Sequence, residues 1–173
     1  MRHILIVGSN GVGKSTLIRS LLAAIPATVE GVLTKKAAPG PDGYCPVCIR
    51  SYHAPEQFGE ENRVGLCREG QSIAFPEVFD RFAETMQFSR NGVIVFDELG
   101  FLESGAPLFT EAVLRTLDEA PIVIAAVRDK QTAFLNAVRA HPRADVYPID
   151  PENRDRLREQ LLSDLPKLLP GLF

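Results

Sequence analysis

The sequence predicts an α/β protein of three layers, α/β/α, with a largely parallel sheet and a small antiparallel excursion. Three observations predict it. Aliphatic runs such as Ile4-Leu5-Ile6-Val7, Val93-Ile94-Val95-Phe96 and Ile122 to Val127 read as strands buried on both faces, as in a parallel sheet. Segments with apolar residues at helical spacing alternate with these runs. The first run also passes through a glycine-rich turn straight into a helix. At 173 residues the chain is expected to form one domain spanning residues 1–173, large enough to bury a core.

The turn is Gly8-Ser9-Asn10-Gly11-Val12-Gly13-Lys14-Ser15-Thr16, which fits G-x-x-x-x-G-K-[ST] at every required position. After it, Leu17, Ile18, Leu21, Leu22 and Ile25 recur at helical spacing until Pro26. A strand before and a helix after are the context this phosphate-binding P-loop (Walker A) motif requires, and they specify a P-loop NTPase fold. Glycines at 8, 11 and 13 are expected to admit positive φ and a close phosphate approach. Loop N–H groups then form an anion nest at a helix N-terminus. Lys14 supplies a cation for the β- and γ-phosphates, and the Ser15 hydroxyl a ligand for Mg²⁺. Thr16 is placed to touch a phosphate nearer the base.

The remaining elements follow in order. Thr28 to Thr34 reads as a strand weakened by Gly31, and Ala37 to Gly43 as a proline- and glycine-rich loop. Tyr44 to Tyr52 and Arg63 to Cys67 have strand character around a polar stretch, His53 to Asn62, and form the antiparallel excursion. Pro76 opens an amphipathic helix whose Val78, Phe79, Phe82, Ala83 and Met86 belong to the core. Helices are expected from Pro107 to Leu117 and from Thr132 to Arg139. Val146 to Ile149 is a last strand, and Asp150-Pro151 opens a terminal helix with Leu157, Leu161 and Leu165 on one face.

Val93 to Phe96 runs into Asp97-Glu98, the pattern of a Walker B strand. Asp97 is expected beside the P-loop at the carboxyl end of the sheet, holding Mg²⁺ directly or through water. Its alternative is a strand-end aspartate capping a turn. Glu98 can polarise a water aimed at the γ-phosphate, as hydrolysis requires. Glu103 either faces the same cleft or is a solvated loop charge. Arg128 and Arg63 are candidates for neutralising charge in phosphoryl transfer, against the commoner state of arginine as a surface charge.

Composition narrows the partners. A net charge of −3 with scattered basic residues argues against nucleic acid or a membrane surface. The N-terminal apolar run ends at Gly8, too short for a signal peptide, and no apolar stretch approaches a membrane span. Three cysteines, an odd number, suggest reduced thiols and a cytoplasmic protein. Cys45, Cys48, His53 and Cys67 could supply four ligands for zinc, but i and i+3 of a regular strand face opposite ways, so ordinary thiols are expected. Nothing sets an oligomeric state, and a monomer is compatible with the sequence.

Gly31-Val32-Leu33-Thr34, Gly43-Tyr44, Asp97-Glu98-Leu99-Gly100 with Glu103, and Asn153-Arg154-Asp155 follow the P-loop. In that order they resemble the THEP-type nucleoside-triphosphatases from Ile4 to about Leu157. The resemblance implies Mg²⁺-dependent hydrolysis of the terminal phosphate of several nucleotides, ATP and GTP among them, with loose base preference. It implies that Gly13, Lys14, Ser15 and Thr16 bind phosphate and Mg²⁺, that Asp97 serves the metal, and that Glu98 serves the water. Asn153 and Arg154 would lie near the nucleotide or support its pocket. The chain departs from that family at Phe101-Leu102, where lysine and methionine are usual, and at Lys36, often a glutamate. Two rivals share the motifs: a small-molecule kinase of the nucleotide or nucleoside type, and a slow nucleotide switch acting through a partner.

Overall fold

The computed structural model describes residues 1–173. The strands are β1 (His3–Gly8), β2 (Val29–Lys36), β3 (Cys45–Ser51), β4 (Arg63–Arg68), β5 (Gln71–Ala74), β6 (Val93–Leu99), β7 (Ile122–Arg128) and β8 (Ala144–Pro148). The helices are α1 (Lys14–Ala24), α2 (Pro76–Ala83), α3 (Pro107–Glu119), α4 (Ala133–Arg139) and α5 (Arg154–Leu168). All eight strands form one sheet in the order β5-β4-β3-β2-β6-β7-β1-β8. Pairing is parallel from β2 through β6, β7 and β1 to β8. It is antiparallel through β3, β4 and β5. The expected mixture of a parallel sheet and an antiparallel excursion is therefore present.

Alternation along the central strands builds the layers. Leu5, Val7, Ile94, Phe96, Val123 and Ala125 face one core, with Phe79 of α2, Phe109 and Leu117 of α3 and Leu135 of α4. Ile4, Ile6, Val93, Val95, Ile122 and Ile124 face the other, with Leu17 and Leu21 of α1 and Leu161 and Leu165 of α5. Each of these large side chains, fully removed from water, contributes about 1.5–3 kcal/mol. That is why the central strands read as unbroken apolar runs.

Boundaries shifted where short polar groups compete with the backbone. The terminal helix starts at Arg154, three residues after Pro151, because Asp150 Oδ1 accepts N–H bonds from Glu152 (2.8 Å) and Asn153 (2.7 Å) and closes a turn first. Thr132 behaves as a cap, its Oγ1 accepting from Leu135 N–H at 3.1 Å. The short strand β5 was not expected; the tight turn at Gly70, with φ of 70°, folds it back on β4.

Gly31 is a requirement of the sheet rather than a weakness in it. Its φ is 141°, and a Cβ there would overlap the Val95 carbonyl and lie 2.7 Å from the Val95 nitrogen. Gly31→Ala is expected to destabilise the fold by about 2 kcal/mol or more, read as a lower urea midpoint at unchanged m-value.

His3 ties β1 to the start of β7 and the end of α3. Its Nδ1 accepts the Val123 N–H at 3.0 Å, so Nε2 carries the proton and donates to the Leu117 carbonyl at 2.6 Å. Protonation would set a second N–H against that of Val123. Burial accordingly lowers the imidazole from its ordinary 6.5 to about 4. Between those values the unfolded chain binds the extra proton and the fold does not, so stability falls as pH falls. Wild type is expected to lose ~2 kcal/mol relative to His3→Gln between pH 7 and pH 5, measured by denaturant unfolding of both at each pH.

Candidate active site

The P-loop connects β1 to α1 at the carboxyl edge of the parallel strands, the edge where ligands bind in open α/β sheets. Gly13 adopts φ of 109° and Gly11 of 73°, conformations that side chains resist, and Gly13 is the residue at which the loop enters the helix. Gly8 differs from expectation. It has no positive φ; its need for glycine is steric, because a Cβ would come within 2.6 Å of the Ile149 carbonyl. Lys14 is buried, and its ammonium donates to the carbonyls of Gly8 (2.9 Å) and Ser9 (2.7 Å). Desolvation lowers its pKa, partly offset by the Glu98 charge. Ser15 and Thr16 are exposed on the first turn of α1.

The two carboxylates at the end of β6 face different neighbours. Asp97 Oδ1 accepts from the Thr34 N–H (2.7 Å) and hydroxyl (3.3 Å), which clamps β6 to β2. Burial still pushes its pKa up to about 7. Glu98 turns the other way, pairs with Arg128 and acts on the Lys14 charge. Arg128 ends β7 in register with Gly8, so the arginine stands beside the start of the P-loop. This answers the alternatives for Arg128 in favour of the cleft. Arg63 instead pairs with Glu60 on the surface and lines neither cavity described below.

Glu103 is not a solvated loop charge. It is 4% exposed and accepts the Gly100 N–H at 3.0 Å, and burial pushes its pKa up to about 7. It follows β6 on a single 3₁₀ turn, Leu102–Gly105, which returns the chain toward the strand end.

Two cavities flank the P-loop. One, of about 180 Å³, is lined by Gly13, Thr16, Ile149, Arg154 and Arg158, on the α1–α5 side. Asn153 supports it from outside: its amide donates to the Pro148 carbonyl (3.0 Å) and its carbonyl accepts the Asp150 N–H (3.0 Å). Arg154 lies over the loop, its Cδ 3.9 Å from where a Gly13 Cβ would be. The other cavity, of about 260 Å³, meets the loop only at Asn10 and contains Thr34, Glu98, Glu103 and Arg128. Thr34 was quoted in the sequence without a role; its bond to Asp97 could be found only once β2 and β6 were known to be neighbours.

Of the three cysteines, Cys67 lines the larger of these cavities, while Cys45 and Cys48 do not. Cys45 faces Cys67 across β3 and β4, while Cys48 is buried opposite Arg63. A bulge between Val47 and Cys48 makes the strand irregular, so the alternation that argued against a shared ligand set does not apply there. His53 is engaged with the Val29 carbonyl at 2.7 Å. No three His, Cys, Asp or Glu side chains group as metal ligands. No helix is long and apolar enough to cross a membrane.

Comparison with known proteins agrees with this geometry. The family model described as NTPase matches residues 3–162. The Cancer-related nucleoside-triphosphatase of Homo sapiens is 27% identical over 183 residues, covering 94% of this chain and 95% of its own. The Nucleoside-triphosphatase THEP1 of Thermofilum pendens is 26% identical, covering 97% of each. The crystal structure of THEP1 from Aquifex aeolicus superposes with a TM-score of 0.65 at 21% identity, over 94% of this chain and 98% of that one. The match to residues 3–162 covers the P-loop, the Asp97-Glu98 strand end and Asn153-Arg154 together: the chain belongs to the THEP-type NTPase family.

Proposed function

We propose that the protein is a Mg²⁺-dependent nucleoside-triphosphate phosphohydrolase that breaks the β–γ bond of ATP, GTP and related nucleotides. The observation that carries this reading is the convergence of the P-loop, Glu98 and Arg128 on one sheet edge, with Glu98 facing Lys14. Loop N–H groups from Gly8 to Thr16, Val12 among them, cradle the phosphates, and Lys14 leaves its carbonyl partners for the β- and γ-oxygens. Arg154, steadied by Asn153, borders the nucleoside on the Thr16 side.

Mg²⁺ fits the donors present. Ser15 offers a free hydroxyl, and Asp97 a desolvated carboxylate whose raised pKa a cation would reverse; both are the hard oxygen ligands that Mg²⁺ prefers. When bound, the ion neutralises charge on the β- and γ-oxygens. Glu98 then orients the attacking water and draws on its proton as the water oxygen bonds to the γ-phosphorus. The β–γ bridging bond breaks, releasing diphosphate nucleotide and inorganic phosphate. Arg128 pairs with Glu98. An arriving γ-phosphate gives the guanidinium a second anion, which loosens the pair and frees Glu98 for the water. The three free thiols suit a reducing, cytoplasmic setting.

Lys14→Ala is expected to weaken triphosphate binding far more than nucleoside binding, measured by titration calorimetry, because only the β- and γ-phosphate site loses charge. Glu98→Gln is expected to lower single-turnover phosphate release by roughly 10²-fold or more at nearly unchanged nucleotide affinity. Wild-type turnover in that variant would remove Glu98 from the chemistry, and equal, very slow rates in both would favour a nucleotide switch.

A further inference from the structure

The cavity of about 260 Å³ extends well beyond the P-loop, from Asn10 to Arg68 and Ser72. It meets the P-loop only at Asn10, whereas the side of the loop that leads to the nucleoside opens on the other cavity, at Gly13 and Thr16. A triphosphate laid along the loop therefore ends with its terminal phosphate at the mouth of this space, beside Glu98 and Arg128. The rest of the space runs outward under the antiparallel excursion.

Its walls have a definite chemistry. Val47, Phe79 and Leu102 give an apolar floor. At the inner end stand Glu98 and Glu103, both acceptors. At the outer end stand Lys36 of β2 and Arg68 of β4. Arg68 is held in place: its guanidinium stacks 4.5 Å above the Tyr44 ring, and its Nε donates to Gln71 Oε1 at 2.7 Å. The Tyr44 hydroxyl donates to the same Gln71 oxygen at 2.9 Å, so the three side chains brace one another. Neither Lys36 nor Arg68 belongs to any of the six ion pairs in the protein. Two cations without carboxylate partners, one of them pre-set by stacking and a hydrogen bond, form a ready anion receptor.

We propose that this cavity is a second ligand site, for a small hydroxylated organic anion bound beside the terminal phosphate of the nucleotide. The anionic group, a carboxylate or a phosphate monoester, sits on Arg68 and Lys36; the carbon body covers Val47 and Leu102; the hydroxyl donates to the inner carboxylates. An apolar floor with a few convergent polar groups is the usual make-up of such a site. The proposal rests on the hydrolase reading only for the position of the terminal phosphate.

The test is titration calorimetry with malate, glycerol 3-phosphate and uncharged glycerol, on protein saturated with Mg²⁺ and the β,γ-imido analogue of ATP. Saturation closes the P-loop to the probes. Affinity for the analogue is measured first; its absence would sink the hydrolase reading alone, and the probes would then be tested on the free protein. One or both anions are expected to bind with Kd of about 1 mM or tighter, and glycerol not at all. Malate alone names a carboxylate ligand, and glycerol 3-phosphate alone a phosphate monoester. Arg68→Ala and Lys36→Glu should each weaken the anion by about 10-fold or more while analogue affinity stays as in wild type. Binding weaker than about 10 mM for both anions, or binding that survives both substitutions, would overturn the proposal.

Discussion

Everything at the site hangs on β7 lying between β1 and β6, parallel to both. That single placement brings the P-loop, which leaves β1, to the same sheet edge as Glu98, which leaves β6. It also sets Arg128, at the end of β7, beside both. The register of Gly8 with Arg128 fixes that placement as a sheet contact. Because β7 is buried on both faces, from Ile122 to Val127, it cannot slip without moving six core side chains. Apolar packing on two faces of one strand is what holds the polar constellation in place.

Several polar groups at that edge are held against their solution preference. Burial weakens the proton affinity of Lys14 and raises those of Asp97 and Glu103, the latter two to about 7. Each group is partly compensated inside the protein: Lys14 by loop carbonyls, Asp97 by Thr34, Glu103 by the Gly100 amide. These partners are neutral, so the charges remain open to stronger ones. In the function proposed above, a phosphate for the lysine and a cation for the aspartate complete what the fold leaves unfinished.

The parallel half of the fold was legible because its causes are local. Two-face burial shows as the apolar runs of β1, β6 and β7, and the P-loop shows as glycines, lysine and serine at fixed spacing. Asp97 and Glu98 were legible as a strand end. Their partners, Thr34 for Asp97 and Arg128 for Glu98, were not, because they depend on β2 lying on one side of β6 and β7 on the other. Glu103 could not be placed between cleft and solvent for the same reason: a 3₁₀ turn decides it. Gly8 and Gly31 show the limit from another side. Both are glycine because another strand or turn approaches closely, and nothing in their own neighbourhood announces that neighbour. The short β5 carries too few residues to show a period.

The sheet changes direction of pairing at β2, and that seam divides the molecule by what a substitution can reach. Parallel strands must be joined by crossovers, and β1, β6 and β7 share both cores and tolerate little. Beyond the seam, β3, β4 and β5 are linked by their own loops and hairpin turn, with Arg68 and Ser72 exposed on one rim of the larger cavity. A lengthened loop or an altered charge there leaves every hydrogen bond between the parallel strands intact. The antiparallel arm is therefore the part of the chain in which descent can rewrite the wall of the larger cavity while the P-loop and the strand ends beside it are inherited unchanged.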